Sequence, residues 1–148
     1  MTATPNTTTI VAAARAEDRA ILLETEAYAL LAQAGMKVPA TALVRGPQDV
    51  DDAVVAKFSG DRVVLKVVSP DVLHKSDVGG IELDLSDADA VEQAYDRILS
   101  RARQHAPEGE IWGVLVQEMV APGREVIVGV DRDPQFGPLL MFGLGGIY

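Results

Sequence analysis

The stretch from Val63 to Ile81 constrains the fold of this chain more than any other. It opens with VVLKVV, six residues in which only Lys66 is not apolar. Such a run is typical of a strand buried in a sheet. A lysine inside it is costly unless its ammonium group meets an anion or reaches solvent. Two interpretations of Lys66 therefore stay open: a binding group aimed at an anion, or an edge-strand side chain that extends outward.

A polar loop follows the strand and ends in two glycines. It carries His74 and Lys75 and closes on Gly79-Gly80. Glycines let backbone N–H groups approach anionic oxygens, ammonium groups neutralise them, and imidazole can carry a phosphoryl group. The pattern favours a phosphate-binding loop, although an ordinary exposed turn also fits. Neither G-x-x-x-x-G-K-[ST] nor G-x-G-x-x-G occurs here, so the two common nucleotide fingerprints do not apply.

Composition narrows the class of protein. The 148 residues are 48% hydrophobic and 24% charged, which fits one soluble globular domain. The net charge of −9 argues against nucleic acid or an anionic membrane as the main partner. No apolar run approaches the roughly 20 residues of a membrane span. The lack of cysteine excludes disulfides and thiolate sites and fits a cytoplasmic protein.

Periodicity predicts an α/β (α+β in some schemes) fold behind a disordered leader over residues 1–15. Three helices are predicted: one over 16–34, one after Gly46-Pro47, and one behind a capping box of Ser86 and Asp89. Strands are predicted over 41–44, 63–68, 81–85, 111–120, 125–130 and 138–142, with 125–130 paired back on 111–120. The aromatic residues at core spacing are Phe58, Tyr95, Trp112 and Phe142. His105 is interpreted as structural, and no cluster has the spacing of a metal site.

With these elements in place, the chain resembles the ATP-grasp superfamily from about residue 20 to its end. More narrowly, it resembles the nucleotide-binding module of the NDP-forming acyl-CoA synthetases. The most discriminating match is His-Lys-Ser-Asp-x-Gly-Gly at 74–80. The other matching segments are LETEA at 23–27, GMKVP at 35–39, LKVVSPDVL at 65–73, QEMV at 117–120, GREVIVG at 123–129, FGP at 136–138 and GLGG at 143–146.

The resemblance implies the N-terminal, lid-bearing portion of an ATP-grasp domain, with helices packed on a mostly antiparallel sheet. It implies an enzyme that interconverts acyl-CoA, ADP and phosphate with carboxylate, CoA and ATP through a phosphohistidine relay. Its cofactors would be ATP or ADP and Mg²⁺, with the acidic metal ligands beyond the end of this chain. Its partner would be a CoA-ligase domain or subunit. The alternatives are a nucleotide-binding regulatory module of a protein acetyltransferase and a non-catalytic, partner-binding fragment.

The same resemblance assigns roles at the strand and its loop. Lys66 would contact the nucleotide phosphates, and Gly79 and Gly80 would form a phosphate-facing flap. His74 is the candidate phosphoryl carrier, and Lys75 is its electrostatic helper.

A second set of residues matches the adenine hinge of the superfamily. Glu118 would contact the adenine amino group, backbone groups of Met119 and Ala121 would read the ring edge, and Glu125 would bind the ribose hydroxyls. From the pattern alone, both carboxylates are better explained as surface groups of a solvated hairpin, and it is the resemblance that favours a binding role.

The chain ends on a strand that runs into a glycine-rich loop. We therefore expect residues 16–148 to be a partial domain that is not catalytically complete. Strand edges left unpaired invite association, so a homo-oligomer or a bound partner is also expected.

Overall fold

The computed structural model describes residues 7–46, 49–50, 62–72 and 74–145. The predicted helix after Gly46 lies largely outside these ranges, and the predicted core residue Phe58 lies wholly outside them. Within them, no helix is both long enough and apolar enough to cross a membrane. The elements in chain order are α1 (Thr7–Ala16), α2 (Glu24–Gln33), β1 (Thr41–Val44), β2 (Val63–Val68), β3 (Ile81–Leu85), α3 (Ala88–His105), β4 (Gly113–Glu118), β5 (Val126–Asp133) and β6 (Gly137–Leu144).

Four strands form an antiparallel sheet in the order β1-β4-β2-β3. The register of β2 against β4 runs from Val63 opposite Glu118 to Val68 opposite Gly113. This confirms the predicted mostly antiparallel sheet. Because β2 has a neighbour on each side, the interpretation of Lys66 as an edge-strand residue is wrong.

The two faces of the sheet are covered by different helices. Val63, Leu65 and Val67 alternate along β2 toward the apolar stripe of α3, and this side holds the main core. The stripe repeats every three to four residues, and its buried members are Val91, Ala94, Tyr95, Ile98 and Ala102. The opposite face of β2 carries Lys66 between Val64 and Val68, and it packs near the start of α2.

A bulge in β3 breaks the alternation that the sequence predicts there. The register passes from Val63 opposite Leu85 to Leu65 opposite Glu82, which leaves one extra residue on β3. The chain accommodates the extra residue at Asp84, whose backbone φ is 61°. Leu83 is therefore 58% exposed, while Leu85 is buried. Glu82 instead reaches α3.

The N-terminal predictions need correction. Residues 7–15 are not a disordered leader, because they form most of α1 and bury Ile10 and Ala14. The helix predicted to begin at residue 16 begins at Glu24. Asp18, with a φ of 55°, ends the first helix, and an irregular segment leads to the second.

That irregular segment is fastened by Arg19. Its guanidinium donates to both carboxylate oxygens of Glu26, at 2.8 and 2.7 Å, and to Glu17 at 2.9 Å. It also lies 4.9 Å from the centre of the Trp112 ring. These contacts stabilise a non-helical path that the helical periodicity of the sequence does not indicate.

The last two strands form a separate two-stranded antiparallel sheet. The prediction that 125–130 pairs with 111–120 is wrong, since β5 pairs with β6. Phe142 is 71% exposed, so its assignment to the core is also wrong. Tyr95 is buried as predicted, and Trp112 packs half-buried at the second, smaller cluster beside Leu23.

Candidate functional site

The candidate site is an ion-pair cluster on the face of the sheet near the start of α2. The ammonium group of Lys66 donates to Glu24 Oε1 at 2.7 Å and to Gln117 Oε1 at 3.0 Å. Glu24 is the first residue of α2, where a carboxylate also favours the positive end of the helix dipole. Lys66 therefore meets an anion within the chain itself.

The loop contributes the second cation of the cluster. Lys75 Nζ lies 3.4 Å from Glu24 Oε2. The side chains of Lys66, Lys75 and Glu24 remain 20%, 22% and 19% exposed, so solvent reaches the cluster. Two ammonium groups and one carboxylate leave a net local charge of +1. The structure thus brings together two lysines that the sequence predicts to act on one ligand.

Two further polar groups complete the cluster. The Tyr28 hydroxyl lies 3.0 Å from both Glu24 Oε1 and Gln117 Oε1, and its single hydrogen serves one of them at a time. Because Lys66 can only donate, Gln117 presents its oxygen and not its amide nitrogen to the cluster. Glu24, Tyr28 and Gln117 were missed as site residues. The available signal was the spacing of Glu24 and Tyr28 one helical turn apart.

The environment keeps the carboxylate charged. Burial alone would raise the pKa of Glu24, but the hydrogen bond from Lys66 and the charges of Lys66 and Lys75 outweigh it and lower the pKa. Burial and the neighbouring Glu24 charge raise the pKa of Tyr28 to about 12. At neutral pH the cluster therefore holds an ionised carboxylate beside a neutral phenol.

The loop from 74 to 80 is folded on itself and fastened to β2. The N–H of Gly79 donates to the Ser76 carbonyl at 3.2 Å, and the N–H of Gly80 donates to the Lys75 carbonyl at 2.7 Å. The Gly80 carbonyl in turn accepts from the N–H of Val67 at 2.9 Å. In this conformation both glycine N–H groups are used inside the loop. The predicted phosphate-facing role of the glycines stays a prediction that requires the loop to rearrange.

Packing explains the glycine pair. Gly79 has a φ of +64°, and a Cβ there would lie 2.9 Å from Cδ of Arg101. A Cβ on Gly80 would lie 2.7 Å from Cγ1 of Val67 and 3.1 Å from the Lys75 carbonyl oxygen. A larger residue at Gly80 would push the loop away from the sheet, whereas at Gly79 the positive φ disfavours other residues, since the flexible Arg101 side chain could move aside.

The two histidines of the chain share one cavity. His74 is exposed and lines a cavity of about 330 Å³ together with His105, Asp71 and Asp77. Lys75 lines a separate cavity of about 250 Å³ with Glu24 and Ser69. Within the described ranges, no group of three His, Asp or Glu side chains could hold a metal ion. The role of His74 as phosphoryl carrier stays a prediction.

The predicted adenine hinge begins where β4 ends. Glu118 makes a two-way contact with Ala40: its N–H donates to the Ala40 carbonyl at 2.9 Å, and its Oε2 accepts from the Ala40 N–H at 3.3 Å. The N–H of Met119 donates to the Arg62 carbonyl at 3.2 Å. Both residues therefore tie β4 to neighbouring segments, and their contacts with adenine stay predictions.

The rest of the hinge lies before β5. Ala121 and Glu125 are exposed, and the Glu125 carbonyl accepts from the N–H of Gly145 at 2.9 Å. That bond continues the pairing of the hairpin past the ends of its two strands. The Glu125 carboxylate is left on the surface, as a ribose contact would require.

Comparison with known proteins agrees with this fold. The family model of the ATP-grasp domain matches residues 13–148. The chain is 42% identical over 142 residues to the acetate–CoA ligase (ADP-forming) I subunit beta of Pyrococcus furiosus, covering 94% of this chain and 59% of that protein. It is 39% identical over 132 residues to the 4-hydroxybutyrate–CoA ligase (ADP-forming) of Nitrosopumilus maritimus, covering 89% of this chain and 19% of that protein.

A solved structure matches equally well. It is the acetyl-coenzyme A synthetase 1 of Candidatus Korarchaeum cryptofilum in complex with coenzyme A, Ca-AMPCP and HgCl⁺. Its TM-score is 0.86 at 42% identity, over 93% of this chain and 59% of that one. The chain thus spans well under two thirds of the length of these relatives.

Proposed function

The chain belongs to the ATP-grasp domain family, and we propose that it forms the nucleotide-binding part of an ADP-forming acyl-CoA synthetase. The whole enzyme would convert acyl-CoA, ADP and phosphate into carboxylate, CoA and ATP. The observation that carries the proposal is the cluster of Lys66, Glu24 and Lys75. It places two cations within reach of solvent on a chain whose net charge is −9.

In this proposal Lys66 and Lys75 hold the polyphosphate. Ammonium groups suit phosphate oxygens as compact point charges. The segment from Glu118 to Ala121 and the Glu125 carboxylate receive the adenosine, in the connection outside the strands that joins the two sheets. A bound Mg²⁺ would neutralise phosphate charge, and no group of three or more His, Asp or Glu side chains in the described ranges could hold it. The solved relative with Ca-AMPCP supports a nucleotide with a divalent cation.

His74 would carry the phosphoryl group within the relay. An imidazole nitrogen would form the N–P bond as the bond between phosphorus and the phosphoryl donor breaks, and this N–P bond would break in turn when a terminal phosphate oxygen of ADP takes the group to form ATP. Its exposure and its position next to Lys75 support this role. Transfer of this kind depends mostly on positioning and charge stabilisation, so the loop that carries both residues matters as much as the imidazole.

The partner we propose is a CoA-ligase domain or subunit. The Pyrococcus relative is named as a beta subunit, which supports a division of the enzyme between chains. None of the relatives described above is an acetyltransferase, so nothing favours the regulatory alternative. A cytoplasmic location remains a prediction from composition.

Calorimetric titration of the full-length protein with Mg-ADP and Mg-ATP tests the nucleotide role. We expect binding by the wild type and a loss of about tenfold or more in affinity for Lys66→Ala, since a charge-assisted hydrogen bond contributes about 1.5–3 kcal/mol. Lys37→Ala, at an exposed lysine outside the cluster, is the matched control and should bind as the wild type does. Equal affinity of Lys66→Ala and wild type, or no heat for either nucleotide, would refute the proposal.

The relay role of His74 has its own test. His74→Ala should keep nucleotide affinity while acyl-CoA synthetase turnover is lost, because the variant keeps both lysines but has no phosphoryl acceptor. His105→Ala, at the other histidine of the same cavity, is the control and should retain turnover. Unchanged turnover in His74→Ala would rule out the relay.

A further inference from the structure

The Glu24 carboxylate contacts two lysines from different parts of the fold, and the two contacts differ in length. The contact with Lys66 on β2 is a short hydrogen bond of 2.7 Å. The contact with Lys75 on the loop is an ion pair at 3.4 Å. Lys66 also donates to a second acceptor, Gln117. Within the described part of the chain, Glu24 is the one carboxylate that pairs with Lys75. Glu24 is thus the group that draws the loop cation toward the sheet.

The Glu24 carboxylate has a specific electrostatic role between the two lysines. Two ammonium groups gathered on one face repel each other, and a carboxylate between them offsets that repulsion. Glu24 remains ionised because the lysines lower its pKa. It therefore supplies the negative charge that a phosphate group would otherwise supply.

We propose that Glu24 is a positioning residue, an internal counter-anion that keeps Lys66 and Lys75 together before an anion binds and thereby ties the 74–80 loop to the start of α2. An incoming phosphate would compete with Glu24 for Lys75 first, because that contact is the longer one. Only this competition rests on the proposed nucleotide role. The tie between loop and helix is a property of the unliganded chain.

Glu24→Gln separates this role from a purely structural ion pair. The amide preserves the shape and the acceptor oxygen for Tyr28 but removes the charge. Glu26→Gln is the matched control, since it removes a carboxylate two residues away that binds Arg19 and contacts neither lysine. A general loss of stability would affect both variants. The contact between the 74–80 loop and the start of α2 would be lost only in Glu24→Gln.

Two measurements on the full-length protein test the inference. Hydrogen exchange followed by mass spectrometry should show residues 74–80 exchanging up to about fivefold faster in Glu24→Gln, the effect of losing an ion pair of about 1 kcal/mol. Calorimetry with inorganic pyrophosphate should show about fivefold tighter binding to Glu24→Gln, because a unit charge about 4 Å away costs about 1 kcal/mol in water. Glu26→Gln should show neither change.

The outcomes are distinguishable. Loop exchange that is equal in the two variants, or weaker pyrophosphate binding by Glu24→Gln, would overturn the inference. Faster loop exchange in Glu24→Gln alone, with no binding of nucleotide or pyrophosphate by any form, would support the tie and refute the nucleotide role. Because Glu26→Gln removes an equal charge without contacting either lysine, a gain in anion affinity confined to Glu24→Gln would support the competition directly.

Discussion

Lys66 lies at a mostly enclosed position where oxygens from two separate elements accept hydrogen bonds from its ammonium group. Glu24 comes from the start of α2 and Gln117 from β4, 42 positions before and 51 positions after the lysine. The local sequence predicts that such a lysine needs an anion. It does not predict which one, since neither acceptor is near the lysine in the chain.

The contribution of the Arg19–Glu26 ion pair to the free energy of unfolding can be tested through its dependence on pH. The hydrogen bond from Arg19 is the largest cause that lowers the pKa of Glu26 below its ordinary value of 4.5. Glu26→Gln should cost about 2 kcal/mol of unfolding free energy at pH 7, as expected for hydrogen bonds to a charged group. A carboxylate with a depressed pKa stabilises fully above its unfolded value and loses this effect as pH falls through the folded one. The gap between wild type and variant should therefore narrow below about pH 4.5.

Urea unfolding at pH 7, 4 and 3 measures that gap. Glu92→Gln, on the exposed side of α3, is the control and should stay within about 0.5 kcal/mol of the wild type at pH 7. A gap for Glu26→Gln that keeps its size down to pH 3 would contradict the assigned cause.

At the level of elements, the start of α3 shows how closely local patterns can compete. Ser86 and Asp87 are both good N-cap residues, and Ser86 with Asp89 has the spacing of a capping box. The structure selects Asp87, whose Oδ1 accepts from the N–H of Ala90 at 2.8 Å. Local preference allows either residue as the N-cap, so the sequence alone does not decide between them.

Substitution of the two candidate caps tests this assignment. Asp87→Ala should lower the unfolding free energy by about 1 kcal/mol, the usual cost of losing an N-cap. Ser86→Ala should cost at most about 0.5 kcal/mol, because its hydroxyl contacts only the Asp87 side chain in the described structure. Thermal unfolding of both variants measures the difference, and a larger loss for Ser86→Ala would refute the assignment.

The hairpin of β5 and β6 shows the same limit for strand pairing. The turn between 111–120 and 125–130 suggested that these strands pair. However, β4 is already bonded on both sides, by β1 and by β2, so it has no free edge for β5. Pairing with β6 instead provides hydrogen-bond partners for the backbone N–H and C=O groups of β5.

At the scale of the whole molecule, charge and apolar surface are distributed unevenly. A cluster of net charge +1 lies on a chain of net charge −9, so anion binding must depend on near contacts and not on the overall field. One face of the hairpin is apolar over three successive cross-strand pairs before it reaches Arg132, and the residues of these pairs are more than half exposed: Val126, Val128, Val130, Leu140, Phe142 and Leu144. A two-stranded hairpin is marginally stable alone, which agrees with a homo-oligomer or a partner as a continuing prediction.

The sequence by itself determined the family, the lysine-bearing central strand, the amphipathic helix α3 and the loop with His74 and Lys75. These follow from short-range periodicity and from contiguous motifs. Only the tertiary structure decided the bulge in β3, the separate hairpin and the choice of Glu24 as the counter-anion of both lysines. The physical reason is that these features depend on contacts between residues far apart in the chain, where burial and the occupation of strand edges override local preference.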